Sequence, residues 1–253
     1  MTGGVFFDFD GTLVDTFDDI IEAVQRMRAG LGGARLPTAE VRRHIGWGAR
    51  NLTGQCHPRL DDLRPARLPA DGEALPLEAA EVASALDRFR TIYQEIFLTH
   101  ARPYEGIPQL LRDLARDGID LAVISNKPER FVRQMLAGLG LVDPLRLILG
   151  GDSLPVRKPD PLPLRLAAEQ MALPLERCVM VGDGPLDVAA AGLAGIPSCA
   201  VSWGLLSEEA LIALGPGSLV RSVSALETWI RKTLRAIVYA PGSTREQGPI
   251  PKR

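Results

Sequence analysis

Four aspartates and a lysine stand at spacings that could do chemistry. The stretch Val5-Phe6-Phe7-Asp8-Phe9-Asp10-Gly11-Thr12-Leu13 reads as a buried apolar strand that runs into two carboxylates and then a glycine turn. Side chains alternate along a strand, so Asp8 and Asp10 share one side. Gly11 lets the chain turn immediately afterwards. Much later, the apolar run Cys178 to Val181 ends in Gly182-Asp183-Gly184-Pro185-Leu186-Asp187. Asp183 lies at that strand's end and Asp187 one helical turn further on. If both strands belong to one parallel sheet, the acids converge at its carboxyl edge, where open α/β sheets bind ligands. Two unit charges 4 Å apart at an effective dielectric near 20 repel by roughly 4 kcal/mol. The cluster therefore needs a cation. Hard oxygen ligands with few fixed positions point to Mg²⁺, which keeps several waters and meets substrate phosphate. Any one of these acids alone would more simply be a helix cap or a solvated strand end. The convergent set is what that simpler reading leaves unexplained.

Two further sites match. The chain has only four lysines, Lys127, Lys158, Lys232 and Lys252, against 25 arginines. Lys158 sits in Arg157-Lys158-Pro159-Asp160-Pro161, a turn stiffened by proline. A compact ammonium fits among clustered carboxylates and a phosphate better than a guanidinium fork. The apolar run Ile119 to Ile124 ends in Ser125-Asn126-Lys127. A hydroxyl and a backbone amide at a strand-to-helix turn suit a phosphate oxygen, although Ser-Asn-Lys-Pro also makes an ordinary helix start.

The elements that must hold these groups fall into two kinds. From residue 16 to 100 the periodicity is helical throughout. Thr16 to Met27 carries Phe17, Ile20, Ile21, Val24 and Met27 at helical spacing, with Thr16 as a candidate N-cap. Thr38 to Leu52 is helical around a glycine-flanked break, Ile45-Gly46-Trp47-Gly48-Ala49. Residues 58 to 77 read as a Pro/Arg-rich loop and Glu78 to Leu98 as another helix. From Arg102 onward helices alternate with strands at 119–124, 145–149, 178–181, 198–201 and 218–220, followed by a helix from Ala225 to Val238. Such alternation predicts an α/β fold, a parallel sheet covered by helices. Residues 240 to 253, with three prolines and two glycines, read as a disordered tail.

Composition narrows the function. A chain of 253 residues, 46% hydrophobic and 24% charged, is ordinary for a globular protein. A net charge of −2 advertises neither nucleic acid nor membrane binding. No apolar run reaches membrane-spanning length, and Asp8 comes too early for a secretory signal. Cys56, Cys178 and Cys199 are widely spaced and read as buried reduced thiols, which implies a cytoplasmic setting.

By the order of its motifs the chain resembles the haloacid dehalogenase superfamily. Asp8-Phe9-Asp10-Gly11-Thr12-Leu13 resembles the first motif, Ser125 the second, Lys158-Pro159 the third, and Gly182-Asp183 with Asp187 the fourth. The resemblance implies a Rossmann-like core, residues 1–15 and 101–239, with an all-helical cap inserted at 16–100. Asp15-Thr16, Ile45-Gly46-Trp47-Gly48-Ala49 and Pro103-Tyr104-Glu105-Gly106 are similar to the phosphoglycolate phosphatase group. That resemblance implies a Mg²⁺-dependent phosphatase acting on a small phosphorylated metabolite. Asp8 would attack phosphorus to form an aspartyl-phosphate, and Asp10 would act as acid and then base. Asp8, the Asp10 backbone carbonyl and Asp183 would hold Mg²⁺, with Asp187 orienting metal-bound water. Thr12, Ser125 and Asn126 would position phosphate, and Lys158 would neutralise charge.

Asp10 argues against dehalogenation, since expelled halide needs no proton. The absence of lysine from residues 16 to 100 argues against Schiff-base chemistry. Sugar phosphomutase activity and a non-catalytic phosphate sensor are the remaining alternatives, the second opposed by the intact acid set. The cap should choose the substrate through Gly46, Trp47 and Arg50; Arg50 reads either as a solvated helix arginine or as the group that meets a substrate carboxylate. A sugar or amino-sugar phosphate is the alternative to 2-phosphoglycolate.

Overall fold

The computed structural model describes residues 3–63 and 73–238. At its centre is β1 (Gly4–Phe7), buried on both faces, which is why its sequence is a continuous apolar run. It pairs in parallel with β4 (Asp120–Ile124) on one side and β6 (Cys178–Gly182) on the other. The sheet extends outward through β5 (Leu147–Leu149) beyond β4, and through β7 (Ser198–Val201) and β8 (Ser218–Val220) beyond β6, giving the order β5-β4-β1-β6-β7-β8. The chain builds one half of the sheet and then crosses β1 to build the other. The crevice of such a sheet opens at that reversal, beside the carboxyl end of β1.

Alternation along the strands divides the core. Val5, Phe7, Leu121, Val123, Val179 and Val181 face one apolar layer. Phe6, Ala122, Ile124, Cys178 and Met180 face the other. The helices α5 (Ile107–Arg116), α6 (Glu129–Gly138), α7 (Leu162–Gln170), α8 (Pro185–Ala194), α9 (Glu208–Ala213) and α10 (Val223–Val238) accompany these strands. The short helix α9, capped by the Ser207 hydroxyl, was not expected. At six residues it carries too little periodicity to stand out.

Helices α1 (Phe17–Gly30), α2 (Thr38–Arg43), α3 (Ala49–Gln55) and α4 (Ala79–Ile96) form the segment between β1 and α5. The expected helix from 38 to 52 is split at the Gly46-Trp47-Gly48 break. Residues Pro58–Leu63, expected as loop, form a 3-10 helix. The rest of the expected Pro/Arg-rich loop at 64–72 and the tail at 240–253 lie outside the described residues. Two strands too short to leave a pattern in sequence, β2 (Val14–Asp15) and β3 (Arg102–Pro103), pair antiparallel where the chain leaves and rejoins the sheet. Beside this ribbon the buried Asp19 carboxylate of α1 accepts the backbone N–H groups of His100 and Ala101. The cap's apolar core, Phe17, Ile20, Val24, Met27, Val41, Leu52, Phe89 and Tyr93 among others, includes the buried Phe131 of α6 from the sheet side, and Leu205 packs against it as well. Burying a phenylalanine fully is worth about 1.5–3 kcal/mol, so Phe131 contributes to holding cap and core together.

Candidate active site

Three carboxylates meet at the carboxyl edge of β1 and β6. Asp8, Asp183 and Asp187 offer oxygens that all lie within 4.8 Å of one another. Two glycines make this approach possible. Gly11 has φ +79, and a Cβ there would collide with the Asp183 carboxylate. A Cβ on Gly182 would likewise collide with Asp187. Thr12 Oγ1 donates to Asp183 Oδ1 at 3.1 Å, and the Leu205 N–H donates to Asp183 Oδ2 at 2.7 Å. Asp187 accepts the Gly184 N–H at 3.2 Å. Lys158 Nζ lies 2.9 Å from Asp8 Oδ1 and 2.6 Å from Asp187 Oδ1. Asp8 Oδ1 also accepts the Phe9 N–H, so among the described residues both of its partners fall on one oxygen and Oδ2 remains for a reaction.

The electrostatics match this crowding. Burial pushes Asp8 up to about 7, and Asp187 and Asp10 add to the rise against the opposing pull of Lys158. Burial, and then the charges of Asp8 and Asp187, raise Asp183 well above the usual carboxylate range. Burial works against the charge on Lys158, but Asp187 and Asp8 outweigh it and hold the ammonium protonated. One lysine against three clustered acids, two of them buried, leaves the cluster short of positive charge. An all-oxygen donor set of this kind fits a hard divalent cation.

Asp10 belongs to a second constellation. Its Oδ1 accepts from Thr16 Oγ1 at 2.6 Å and from Lys127 Nζ at 2.8 Å. Thr16 does precede α1, but its hydroxyl makes no cap hydrogen bond and is used on Asp10 instead. Lys127 Nζ also donates to the Tyr93 hydroxyl at 2.7 Å.

The two constellations share one cavity. Its wall includes Asp8, Asp10, Ser125, Asn126, Lys158, Asp183, Asp187, Gly46 and Trp47, so the structure brings most of the expected site residues together. Three are placed otherwise. Thr12 is fully buried, does not line the cavity, and gives its hydroxyl hydrogen to Asp183. Asn126 lines the cavity, but its Nδ2 spans from the Gly46 carbonyl of the cap at 3.2 Å to the Lys158 carbonyl at 2.9 Å. Arg50 is exposed on the first turn of α3 and is not part of the wall. The cap arginine in the wall is Arg90 of α4.

Lys127, Tyr93 and the loop after β7 were missed. Leu205 bonds Asp183, and Trp203 Nε1 donates to the Thr12 carbonyl at 3.2 Å. The lysine scarcity that singled out Lys158 applies equally to Lys127. Trp203-Gly204 directly following a strand was a usable signal as well. Nothing local marks Tyr93, which reads as one more apolar position on its helix.

The chain is similar to known proteins. A profile of haloacid dehalogenase-like hydrolases matches residues 5–201. A phosphoglycolate phosphatase of Rhodospirillum rubrum is 36% identical over 230 residues, 91% of each chain. The N-acetylmuramic acid 6-phosphate phosphatase of Pseudomonas aeruginosa is 33% identical, over 81% of this chain and 84% of that one. The crystal structure of a predicted phosphoglycolate phosphatase from Haemophilus somnus superposes with a TM-score of 0.80 at 24% identity, covering 90% of this chain and 97% of that one. With its acids at the carboxyl edge of a six-stranded parallel sheet and a helical segment folded over them, the chain belongs to the haloacid dehalogenase-like hydrolases.

Proposed function

We propose that the protein is a Mg²⁺-dependent phosphatase that hydrolyses 2-phosphoglycolate through an aspartyl-phosphate on Asp8. The observation that carries this reading is the division of labour among the acids. Asp8, Asp183 and Asp187 form a cation-deficient triangle, while Asp10 stands apart in its own hydrogen-bond set. Asp8, Asp183 and the backbone carbonyl of Asp10 would hold Mg²⁺, with Asp187 beside them. The ion would screen the phosphate's charge so that an anionic nucleophile can approach it. Asp8 Oδ2 attacks phosphorus as the ester P–O bond breaks, and the Asp10 carboxyl gives its proton to the departing oxygen. Water then attacks phosphorus, its proton passes to Asp10, and the Asp8 O–P bond breaks to release phosphate. Lys158 stabilises the charge on Asp8, and Ser125 and Asn126 shape the phosphate end of the cavity. All three cysteines are buried, in keeping with a reducing cytoplasmic setting. Among the described residues no helix is long and apolar enough to cross a membrane.

The glycolate carboxylate needs a cation. Lys158 and Lys127 are committed to protein carboxylates. Among the described residues Arg90 pairs with Asp87 alone, at 3.6 Å on its own helix, and it takes the selector role first considered for Arg50. A second reading, an amino-sugar phosphate, is favoured by the cavity's apolar wall of Phe17, Ile20, Ile45, Leu52, Phe89 and Phe131. It is also favoured by the similarity to the N-acetylmuramic acid 6-phosphate enzyme. A panel of phosphate esters assayed with and without Mg²⁺ tests both. Highest kcat/KM on 2-phosphoglycolate is expected. A large preference for an amino-sugar phosphate would replace the first reading with the second, and Mg²⁺-independent turnover would overturn both.

A further inference from the structure

Lys127 has no part in phosphate or cation binding as described above, yet like Lys158 it is buried. It is 8% exposed, and its ammonium sits 4.8 Å from the Tyr93 ring centroid and 5.9 Å from that of Phe9. A charge is costly in such surroundings unless it is paired and hydrogen-bonded. Two of its three donors are directed: one to Asp10 Oδ1 at 2.8 Å, the other to the Tyr93 hydroxyl at 2.7 Å. Tyr93 is 3% exposed and held in place on α4. It stacks on Phe89 at 5.4 Å between centroids, meets Phe131 edge-on at 5.1 Å, and donates its own hydrogen to Met135 Sδ. Its oxygen is therefore turned to accept from Lys127.

We infer that Lys127 is the positioning residue for Asp10, and that Tyr93 makes this positioning depend on the cap lying over the core. The inference rests on the proton-transfer role proposed for Asp10. Among the described residues, both hydrogen bonds to the Asp10 carboxylate, from Thr16 and Lys127, fall on Oδ1. Two donors on one oxygen fix the carboxylate plane and leave Oδ2 as the oxygen that exchanges a proton with the leaving group and later with water. Asp10 follows β1, Lys127 follows β4 and Tyr93 belongs to the cap helix α4, so the chain of bonds forms only where the three elements meet. Lifting α4 would remove the Tyr93 oxygen from the ammonium and free Lys127 to leave Asp10.

The consequence is selective. Proton donation matters most for esters whose leaving alkoxide is strongly basic, and little for an activated aryl phosphate. The test compares kcat/KM on an alkyl phosphate and on 4-nitrophenyl phosphate for the intact chain, Lys127→Met and Tyr93→Phe, with Mg²⁺ present. Lys127→Met should lose at least about tenfold more on the alkyl ester than on the aryl ester. Because water attack also needs Asp10, it should show a burst of nitrophenolate ahead of slow turnover. Tyr93→Phe keeps the ring packing and should show the same imbalance at roughly threefold to tenfold, a fraction of that proton-transfer effect. Lys127→Arg should not restore the balance, because a planar fork cannot reproduce the ammonium's geometry. Equal losses on both esters in Tyr93→Phe and Lys127→Met would overturn the inference and make Lys127 a structural or phosphate-binding group. Should Lys127→Met fail to fold, the near-isosteric Tyr93→Phe decides alone. An intact chain inactive on every ester would instead overturn the phosphatase reading.

Discussion

The active site has two halves, each with a buried lysine set against carboxylates, and they are built differently. In the cation half, Lys158 bridges Asp8 and Asp187 with Asp183 alongside, and every member comes from the sheet and its connections. In the acid half, Lys127 bridges Asp10 and Tyr93, and Tyr93 belongs to α4 of the cap. Glycines allow the acids of the first half to crowd together at the ends of β1 and β6 and on the first turn of α8. The second half is completed by an element that reaches the sheet through two short strands and a shared apolar seam around Phe131. On the proposed reading, the carboxylate cluster around Lys158 is thus assembled by the core, whereas the Asp10 hydrogen-bond set is completed by the cap. Lids of this kind commit the substrate and exclude water from reactive intermediates.

Breaking the cation half should have the largest effects. Asp8→Asn should abolish turnover on every ester and leave no acid-stable protein-bound phosphate after rapid quenching. Label trapped on that variant would move the nucleophile elsewhere. Asp183→Asn keeps the shape that Thr12 and Leu205 recognise but removes a charge. It should weaken Mg²⁺ binding by at least about ten- to a hundredfold, a loss that even the outer partners of metal ligands produce. Titration calorimetry would measure this directly, and unchanged affinity would exclude Asp183 as a ligand.

Breaking the acid half should cost less and cost unevenly. Asp10→Asn should lose about 10²–10⁴-fold on an alkyl phosphate and regain much of that on an aryl phosphate. Rescue of Asp8→Asn instead would exchange the two roles.

The cation half also makes a prediction about pH. Without a metal ion, folded Asp8 titrates near 7, above its ordinary value, because of burial and its acidic neighbours. The folded state then binds more protons than the unfolded state between about pH 4 and 7, so metal-free stability should fall as pH rises through that window. Mg²⁺ relieves the same repulsion, so its gain in Tm should be greater at pH 8 than at pH 5. A gain independent of pH would mean that the ion binds away from Asp8.

The smallest effect belongs to the cap alone. Arg90→Ala should lose about 1.5–3 kcal/mol on 2-phosphoglycolate, the value of a charged hydrogen bond, and much less on a neutral ester of similar size. Equal losses would turn the choice toward the amino-sugar phosphate.

How far the sequence was legible follows the same division. Asp8, Asp10, Lys158, Asp183 and Asp187 were readable because each follows a strand or a proline-stiffened turn, where backbone geometry alone directs the side chain. The central strands were readable because burial on both faces demands unbroken apolar runs. Arg50 misled because a glycine break marks where a loop bends, without saying which neighbouring side chain the bend turns inward.

From sequence alone come the parallel α/β core, the helical segment set into it, and the cluster of acids at the carboxyl edge of its strands. These depend on local rules: strand alternation, helical period and turn chemistry. Tertiary structure decided which oxygen of each carboxylate is occupied, that Thr12 and Thr16 serve Asp183 and Asp10, that Arg90 rather than Arg50 faces the cavity, and that Lys127 meets Tyr93. Each of those depends on the packing of elements far apart in the chain, and no spacing within a single element encodes the angle at which one element meets another.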